Sequence, residues 1–427
     1  MMNKNYYRPL AKGYNAPNDD IDSGYNNNDL IVGGSGTGKT GGYVIPNLLN
    51  PYGNMIVSDT KGRLYNEMKT VLENAGYNVM KIDFIHPRES VGYNPLLSIR
   101  ETEDGYNQLD IMTVVSKILP LEEGKNRDDR FWIESARGLV GFLIAFTLEA
   151  FERKDHNMVT VAEILKGMDT RSGKDIINMW ILRHPSSYVA DLYRMSQIIT
   201  QSERTWSCIQ KFAVGGLEAF LYKDLRRIFV SDENAFNVKK FLRRKSVLFI
   251  NNSDVNRYAD RIVNLLYAQL INDIFEEADK REDGRLKIPV RFIIDDFASN
   301  VYIEDFDKLI SVTRSRNISL SIIVQNLTQL SAMYGENKAN TIIVNCDHIL
   351  YLGGQDIKTA EYIGHRAGLA EEKVLVMQAD KAYLIKRGEK AVLLDKIEPY
   401  KALKEKMEEL RKKEIERINE EIEFDFT

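Results

Sequence analysis

The sequence has few of the features that mark secreted, metal-stabilised or membrane-spanning proteins. Its 427 residues contain two cysteines, Cys208 and Cys346, which is too few to indicate a disulfide framework or a cysteine-based zinc site. Residues 1–20 contain no apolar core of the kind found in signal peptides. The longest apolar run, residues 138–147, is too short to span a bilayer, and we interpret it as part of a buried helix. We therefore expect a soluble chain in the reducing cytoplasm.

The sequence also lacks an excess of positive charge. Its 58 Lys and Arg residues face 62 Asp and Glu residues, for a formal net charge of -4. Such a balance provides no general attraction for nucleic acid, so any contact with DNA must come from a local basic surface. The densest basic stretches are residues 223–227 and 239–245. For each stretch, a solvated helical face is a slightly better interpretation than a DNA site.

A glycine-rich segment follows an apolar stretch near the start of the chain. Residues 29–32 predict a buried strand, and the pattern G-x-x-x-x-G-K-T follows it without a gap. The glycines let the backbone curl, so that several N–H groups point to one place where phosphate oxygens can bind. In this pattern the lysine reaches the β- and γ-phosphates, and the threonine hydroxyl binds Mg²⁺. The predicted site for ATP and Mg²⁺ consists of Gly33, Gly34, Ser35, Gly36, Thr37, Gly38, Lys39 and Thr40.

A second apolar run ends in two acids and can complete such a site. Residues 292–294 predict a strand that leads directly into Asp295 and Asp296. Asp295 is placed to hold Mg²⁺, directly or through water, and Asp296 to act as the general base for the attacking water. A structural role for Asp296, as a cap of the following loop, stays open. Arg314 precedes the next predicted strand and Gln325 ends it, so both are candidates for assisting at the γ-phosphate.

The order of the predicted elements indicates an α/β fold that is interrupted by helices. Strands alternate with helices in residues 29–105 and 223–399, which is typical of a RecA-like P-loop NTPase domain with a mostly parallel sheet. Residues 106–222 have apolar positions at helical spacing and predict an all-α domain. Residues 1–28, rich in Asn, Asp and Gly, predict a flexible N-terminal arm. Residues 400–427 predict a charged C-terminal helix with an acidic tail, for which solvation is favoured over a partner-docking role.

Several short blocks of the sequence resemble, in the same order, the blocks of one protein family. These blocks are residues 33–40, 58–62, 94–96, 204–207, 293–298, 324–330 and 353–361. The family is that of the type IV secretion coupling proteins, the conjugative DNA-transfer ATPases of the TraG/TraD kind. The resemblance extends over nearly all of residues 29–394. It includes the predicted all-α domain, which in that family lies at the cytoplasmic mouth of a hexameric ring.

This resemblance implies an ATP-driven protein that delivers and translocates single-stranded DNA, or a relaxase–DNA complex, to a type IV secretion channel. Lys39, Thr40 and Asp295 match the P-loop lysine, the Mg²⁺-binding threonine and the Walker B aspartate of the family. Arg314 matches an arginine finger given to a neighbouring subunit, and Gln325 matches a sensor. The implied partners are single-stranded DNA, a relaxase or relaxosome, the channel proteins and further copies of the chain in a homo-hexamer.

Two departures from the family pattern limit what the resemblance implies. The family usually has Glu where this chain has Asp296, and a shorter carboxylate can make hydrolysis slow. The family also usually has membrane-spanning helices before the ATPase domain. The chain is therefore expected in the cytoplasm at the inner face of the membrane, held by a separate anchor protein or by an N-terminal anchor missing from the sequence. Two alternatives stay open: an FtsK/HerA-like pump for duplex DNA, and a substrate receptor that binds ATP but hardly hydrolyses it.

Overall fold

A computed structural model of the chain describes residues 7–103, 105–121, 127–199, 202–230, 234–253, 255, 257–297 and 301–425. The described residues form two compact units. Unit 1 is drawn from Met1–Lys81, Val238–Asp254 and Ile274–Thr427, and unit 2 from Ile82–Asn237 and Val255–Asp273. The large sheet belongs to unit 1, whereas unit 2 is mostly helical. The predicted boundaries at residues 105 and 222 stay a prediction.

The strands account for the sheet of unit 1 and for two small hairpins. In chain order they are β1 (Tyr7–Ala11), β2 (Tyr14–Pro17), β3 (Asp29–Val32), β4 (Asn54–Asp59), β5 (Asn78–Asp83), β6 (Glu101–Thr102), β7 (Gly105–Tyr106), β8 (Ser246–Asn251), β9 (Val290–Ile294), β10 (Ile318–Val324), β11 (His348–Tyr351), β12 (Lys381–Lys386) and β13 (Val392–Asp395). Nine of these described strands form one sheet in the order β13-β12-β11-β3-β10-β9-β4-β8-β5. The remaining strands pair as the antiparallel hairpins β1–β2 and β6–β7.

The sheet is mostly parallel, as the sequence predicts. Strands β11, β3, β10, β9, β4 and β8 run parallel to one another, while β12 and β13 are antiparallel additions at one edge, next to β11. Strands β3, β4, β8 and β9 are buried along their whole length. Continuous apolar runs are typical of parallel strands that are covered on both faces. The prediction of an α/β fold with a mostly parallel sheet is therefore confirmed.

Most of the described helices lie entirely within one of the two units. In chain order they are α1 (Asp20–Ser23), α2 (Ile45–Leu49), α3 (Leu64–Asn74), α4 (Gln108–Ile118), α5 (Arg127–Ala150), α6 (Met158–Gly167), α7 (Arg171–Arg183), α8 (Tyr188–Ile199), α9 (Glu203–Leu217), α10 (Arg226–Val230), α11 (Val238–Leu242), α12 (Asp260–Asp279), α13 (Phe306–Val312), α14 (Leu327–Tyr334), α15 (Glu336–Val344), α16 (Ile357–Ala367), α17 (Glu371–Leu375) and α18 (Lys401–Asp425). Helices α4 to α10 all lie in unit 2. This helical region matches the apolar periodicity of residues 106–222.

The prediction of a flexible arm is wrong for residues 7–28. Strands β1 and β2 form a hairpin, and its Arg8 is only 2% exposed. The guanidinium of Arg8 donates to both carboxylate oxygens of Asp29, each at 2.7 Å. Because Asp29 is buried at the start of β3, it needs a countercharge, and the hairpin supplies it. Residues 1–6 of the arm and residues 426 and 427 of the tail lie outside the described residues.

One described helix has the length and composition of a membrane span. The segment Asp129–Ala150 of α5 qualifies, but 72% of its apolar window is buried inside the protein. A core helix of a soluble protein meets the same criteria, so a single segment of this kind is weak evidence for a membrane span. Burial of residues 138–147 in a helix agrees with the prediction for this apolar run.

Candidate nucleotide-binding site

The glycine-rich segment forms a loop at the carboxyl end of β3. Gly36 and Gly38 have φ angles of 76° and 98°, in the left-handed region that favours glycine. The loop is fastened to the neighbouring strands, because Gly33 N–H donates to the carbonyl of Val324 at 3.1 Å. Within the loop, the Thr37 hydroxyl donates to the carbonyl of Gly34 at 2.8 Å. The loop therefore has the curled backbone that phosphate binding requires.

The ammonium group of Lys39 lies over this loop. Its Nζ donates to the carbonyl of Gly33 at 2.8 Å and to that of Gly34 at 3.1 Å. The lysine belongs to the first helical residues after the loop, which continue as a π-helical turn, Thr40–Val44, and then as α2. A phosphate bound in the loop could replace these two carbonyl oxygens as the hydrogen-bond acceptor of the Lys39 ammonium group.

Thr40 and Asp295 are brought into direct contact although they are far apart in the sequence. The Thr40 hydroxyl donates to Oδ2 of Asp295 at 2.6 Å. Asp295 follows β9 and is only 6% exposed. Burial raises the pKa of its carboxyl, and the neighbouring charge of Asp296 raises it further, against the hydrogen bond from Thr40 and the charge of Lys39. A buried carboxylate without a full countercharge gains from a nearby cation.

The oxygen atoms of Thr40 and Asp295 fit a magnesium ion. Hydroxyl and carboxylate oxygens are ligands that Mg²⁺ prefers, together with water and the phosphates of a nucleotide. Among the described residues, no group of three or more His, Cys, Asp and Glu side chains is arranged to hold a metal by itself. The assignment of Mg²⁺ to Thr40 and Asp295 stays a prediction.

Asp296 has an unusual backbone conformation for a residue with a side chain. Its φ angle is 52°, in the left-handed region, and its N–H donates to Oδ1 of Asp295 at 3.0 Å. The chain thus turns sharply at the end of β9, and the side chain of Asp296 is half-buried. Strained conformations of this kind are common at functional sites. The position is compatible with the predicted general base, which stays a prediction.

Arg314 lies on the opposite edge of the sheet from the P-loop. It belongs to the turn Arg314–Arg316, just before the amino end of β10, whereas the P-loop follows the carboxyl end of the parallel neighbour β3. Seven residues of β10 separate the two edges, which is roughly 20 Å at the usual rise of a strand. Arg314 is 43% exposed and donates to the carbonyl of Asp20 at 3.0 Å. It therefore cannot serve the P-loop of its own chain in this conformation.

Gln325 lies on the same edge as the P-loop. It directly follows β10 and lines a cavity of about 160 Å³ together with Gly34. The other lining residues are Asn326, Tyr351, Gly354, Gln355, Asp356 and Thr359. The structure thus brings Gln325 beside the predicted phosphate loop, and its role as a sensor stays a prediction.

Sequence reasoning missed a segment that passes over the P-loop. After β13, Lys396 donates from Nζ to the carbonyl of Thr37 at 3.1 Å, and the chain then approaches the π-helical turn. A Cβ atom on Gly41 would lie 2.8 Å from Pro399 Cβ and 2.8 Å from Tyr400 Cε2. We call residues 396–400 the C-terminal strap. The signal in the sequence was a glycine at position 41, in the first turn of a helix, where glycine is unfavourable without a packing reason.

A protein-family model described as "Type IV secretory system Conjugative DNA transfer" matches residues 11–370. The chain belongs to this family. Protein VirD4 of Rhizobium rhizogenes is 21% identical over 351 residues, which cover 82% of this chain and 50% of that protein. Protein VirD4 of Agrobacterium fabrum (strain C58) is 21% identical over the same shares of both chains. This chain therefore spans about half the length of the curated relatives it matches.

The family resemblance stated from the sequence is thus confirmed, and solved structures agree on the fold. The plasmid coupling protein TrwB, in complex with ADP and Mg²⁺, superimposes with a TM-score of 0.65 at 15% identity, covering 92% of this chain and 89% of that one. The conjugative coupling protein TrwBdeltaN70, in complex with sulphate, also gives a TM-score of 0.65, at 15% identity over 88% of this chain and 86% of that one. At this identity the likeness shows the fold alone.

The two basic stretches of this family member are exposed, but they belong to different units. Lys223, Arg226 and Arg227 lie on the surface of unit 2, while the basic residues of 239–245 lie on the surface of unit 1. Their exposure is what either a solvated face or a DNA contact would require. The solvated face therefore stays the slightly favoured interpretation of each stretch, and the DNA contact stays its alternative.

Proposed function

We propose that the chain hydrolyses ATP in order to deliver single-stranded DNA, alone or bound to a relaxase, to a type IV secretion channel and to move it through. The observation that carries this proposal is the 2.6 Å contact between Thr40 and Asp295. It brings together the two predicted halves of an NTPase site, in a chain of the conjugative DNA transfer family, and so supports the proposal. A family relative of similar fold, TrwB, is described in complex with ADP and Mg²⁺, which supports the same ligands here.

Each residue of the site has a defined role in this proposal. The N–H groups of residues 35–40 bind the phosphates, and Lys39 donates to the β- and γ-phosphate oxygens. Thr40 and Asp295 would hold Mg²⁺, which neutralises charge on the phosphates when it is bound. Asp296 orients the attacking water and accepts its proton, while Gln325 contacts the γ-phosphate or this water.

Arg314 links this chemistry to a ring of subunits. Because Arg314 lies on the far edge of its own sheet, it would complete the site of a neighbouring chain in a homo-hexamer. There its guanidinium stabilises the charge that develops on the transferred phosphoryl group. In a ring, the basic stretches of residues 223–227 and 239–245 would act as repeated copies around one channel, where modest surfaces can attract the DNA backbone.

One residue, Asp296, favours a second function. Asp296 is a carboxylate one methylene shorter than the Glu that the family usually has, so a water molecule must sit closer to the strand end. If it cannot, the protein is a receptor that binds ATP and a relaxase–DNA substrate without appreciable turnover. In either case the chain acts at the inner face of the membrane, through a separate anchor protein or an anchor of its own.

The test is ATP turnover by the purified chain, measured alone, with single-stranded DNA and with duplex DNA. We expect turnover that single strands stimulate most and that Lys39→Ala abolishes. Lys373→Ala is the matched control, because Lys373 is an exposed lysine on α17. Stimulation by duplex DNA alone would favour the duplex pump. ATP binding without turnover under every condition would contradict the motor and favour the receptor.

A further inference from the structure

Ser58 continues the pairing of two strands at the point where their backbone ladder ends. The parallel register of β4 and β9 runs from Asn54 opposite Val290 to Val57 opposite Ile293. Beyond this register, a side chain rather than the backbone makes the hydrogen bonds between the two segments. The Ser58 hydroxyl accepts the N–H of Asp295 at 2.7 Å and donates to the carbonyl of Asp295 at 3.0 Å. One buried hydroxyl, 4% exposed, therefore holds both polar backbone groups of Asp295.

These two hydrogen bonds fix the residue from which the whole acidic turn is built. With its backbone held by Ser58, Asp295 presents Oδ2 to Thr40 at 2.6 Å and Oδ1 to the N–H of Asp296 at 3.0 Å. Asp296 then turns with a φ of 52°. A backbone in this region persists only where its surroundings hold it firmly. The two hydrogen bonds between the Ser58 hydroxyl and the backbone of Asp295 help to keep the turn in this conformation.

We infer that Ser58 is a positioning residue for Asp295 and Asp296. Its hydroxyl contacts the backbone of Asp295; it keeps the Asp295 carboxylate aimed at the P-loop threonine, and thereby sets the place at which Mg²⁺ can bind. This inference rests on the part of the proposed function that assigns Mg²⁺ to Thr40 and Asp295. It also gives a physical role to the first residue of the 58–62 block, which the proposed chemistry does not otherwise use.

The hydroxyl is the chemical feature that matters. Alanine at position 58 would leave the N–H and the carbonyl of Asp295 without these partners, and the turn could then relax into other conformations. Residues that orient a metal ligand typically contribute 10–100-fold to metal affinity or activity. Threonine keeps the hydroxyl and has a high preference for strands. Ser58→Thr should therefore behave more like the wild type than Ser58→Ala does.

The test measures the gain in affinity that Mg²⁺ gives to a non-hydrolysable ATP analogue. The dissociation constant of the analogue is determined with Mg²⁺ and with EDTA, and their ratio is the Mg²⁺ gain. In Ser58→Ala we expect about a tenfold smaller gain, with an unchanged constant in EDTA. Ser58→Thr should restore most of the gain, and Asp295→Asn should remove it. Thermal melting of each variant establishes that it is folded.

Ser246 offers a matched control for the loss of a buried hydroxyl. It starts strand β8, next to β4, is 0% exposed and donates to the carbonyl of Arg244 at 3.0 Å. Ser246→Ala should lower the melting temperature about as much as Ser58→Ala and leave the Mg²⁺ gain intact. If Ser58→Ala does not fold, Ser58→Cys takes its place, because a thiol of similar size is a weak donor and acceptor.

The outcomes separate this inference from the proposed function. A Mg²⁺ gain in Ser58→Ala equal to that of the wild type would overturn the role of Ser58, whatever the turnover. An equal loss of gain in Ser246→Ala would also overturn it, since the effect would then be general destabilisation. A wild type without any Mg²⁺ gain would overturn the magnesium assignment and the role of Ser58 together. A wild type that shows the gain but never hydrolyses ATP would contradict the motor alone.

Discussion

Buried carboxylates near the two ends of strand β3 differ in how fully neighbouring side chains compensate their charge. At the amino end, Asp29 is 1% exposed and accepts two hydrogen bonds from Arg8 and one from the hydroxyl of Tyr43 at 2.6 Å. Burial by itself would raise the pKa of Asp29, but the charges of Arg8 and Arg291 lower it to about 2. The protein thus supplies the full countercharge for this carboxylate from its own side chains.

Beyond the carboxyl end, the chain leaves a buried carboxylate only partly compensated. Burial and the charge of Asp296 raise the pKa of Asp295, since its direct side-chain partner is the neutral hydroxyl of Thr40. Lys39 meanwhile donates to loop carbonyls. The same residue type, buried in the same unit, thus has its pKa shifted in opposite directions. The difference teaches that the amino end balances its buried carboxylate with its own side chains, whereas the carboxyl end leaves the charge partly uncompensated, in agreement with the site proposed for Mg²⁺ and a nucleotide.

The largest effect is expected from loss of Arg314, which we propose completes the nucleotide site of a neighbouring chain. Arg314→Ala should reduce ATP turnover by roughly 10³–10⁵, the usual contribution of an arginine finger. Lys39→Ala should be inactive as well. When the two variants are mixed, a finger that acts in trans restores some sites with both an intact P-loop and an intact Arg314. Measured ATPase activity should therefore return in the mixture.

This mixing experiment needs proof that the subunits exchange. Two affinity tags, one on each variant, allow mixed assemblies to be purified before the assay. If co-purified assemblies stay inactive, the trans finger is contradicted, because an interface that joins the P-loop of an Arg314→Ala subunit to the Arg314 of a Lys39→Ala subunit should contain a complete site.

The next largest effect is expected at the amino end, and on stability. Arg8→Met removes one partner of a buried ion pair and leaves the Asp29 carboxylate without its main countercharge, which typically costs about 3–5 kcal/mol. Urea unfolding should detect this loss, while the folded protein should still bind the ATP analogue. Arg63→Met is the control, because the exposed Arg63–Glu67 pair should contribute less than about 1 kcal/mol. Equal losses in both variants would show that burial does not distinguish these pairs.

The two ends of β3 also differ in how far the sequence could predict them. The contact between Thr40 and Asp295 spans 255 positions and was still predictable, because both residues belong to motifs whose chemistry requires them to meet. The pairing of Arg8 with Asp29 was not predictable, since a tertiary ion pair has no periodic pattern and Asn-rich composition suggested an arm. The C-terminal strap was missed for a related reason. Glycine at position 41 indicates that another segment packs closely there, but no local pattern shows that Pro399 and Tyr400 make the contact.

A smaller effect should appear when the amino end is acidified. Burial lowers the pKa of His348 from 6.5 to about 4, and Arg8, Lys386 and Arg291 act in the same direction against Asp29. Because the folded state binds this proton less readily than the unfolded state does, stability is lost as the pH falls from about 6.5 towards 4. Between pH 7 and pH 5 the loss should reach about 2 kcal/mol, measured by urea unfolding.

The variant His348→Gln isolates this contribution because glutamine does not titrate. Its free energy of unfolding should change less than that of the wild type over the same interval. The pKa of Asp29, lowered to about 2, does not interfere, since its stabilising contribution is present above the unfolded value of 3.8 and is lost only at more acidic pH. Equal pH dependence in both proteins would show that other groups cause the loss.

The smallest effect is expected from adding a methyl group at Gly41, where the helical turn after the P-loop packs against the C-terminal strap. In Gly41→Ala the new Cβ would lie 2.8 Å from Pro399 Cβ and from Tyr400 Cε2, closer than carbon atoms normally approach. Overpacking costs typically 1–3 kcal/mol, and we expect about 1 kcal/mol because Tyr400 is 40% exposed and can move aside. Since the strap contacts the P-loop helix directly, the ATP analogue should bind several-fold more weakly, as measured by titration.

Two further variants decide whether the strap itself causes this change. Tyr400→Ala removes the ring atoms that the new methyl group would meet, so the double variant Gly41→Ala/Tyr400→Ala should bind the analogue more tightly than Gly41→Ala alone. Gly138→Ala is the control for a glycine-to-alanine change in a helix, because no atom lies within 4 Å of its added Cβ. It should leave analogue binding unchanged. If Gly41→Ala binds the analogue as well as the wild type does, the strap yields without disturbing the P-loop, and its packing against Gly41 does not contribute to nucleotide binding.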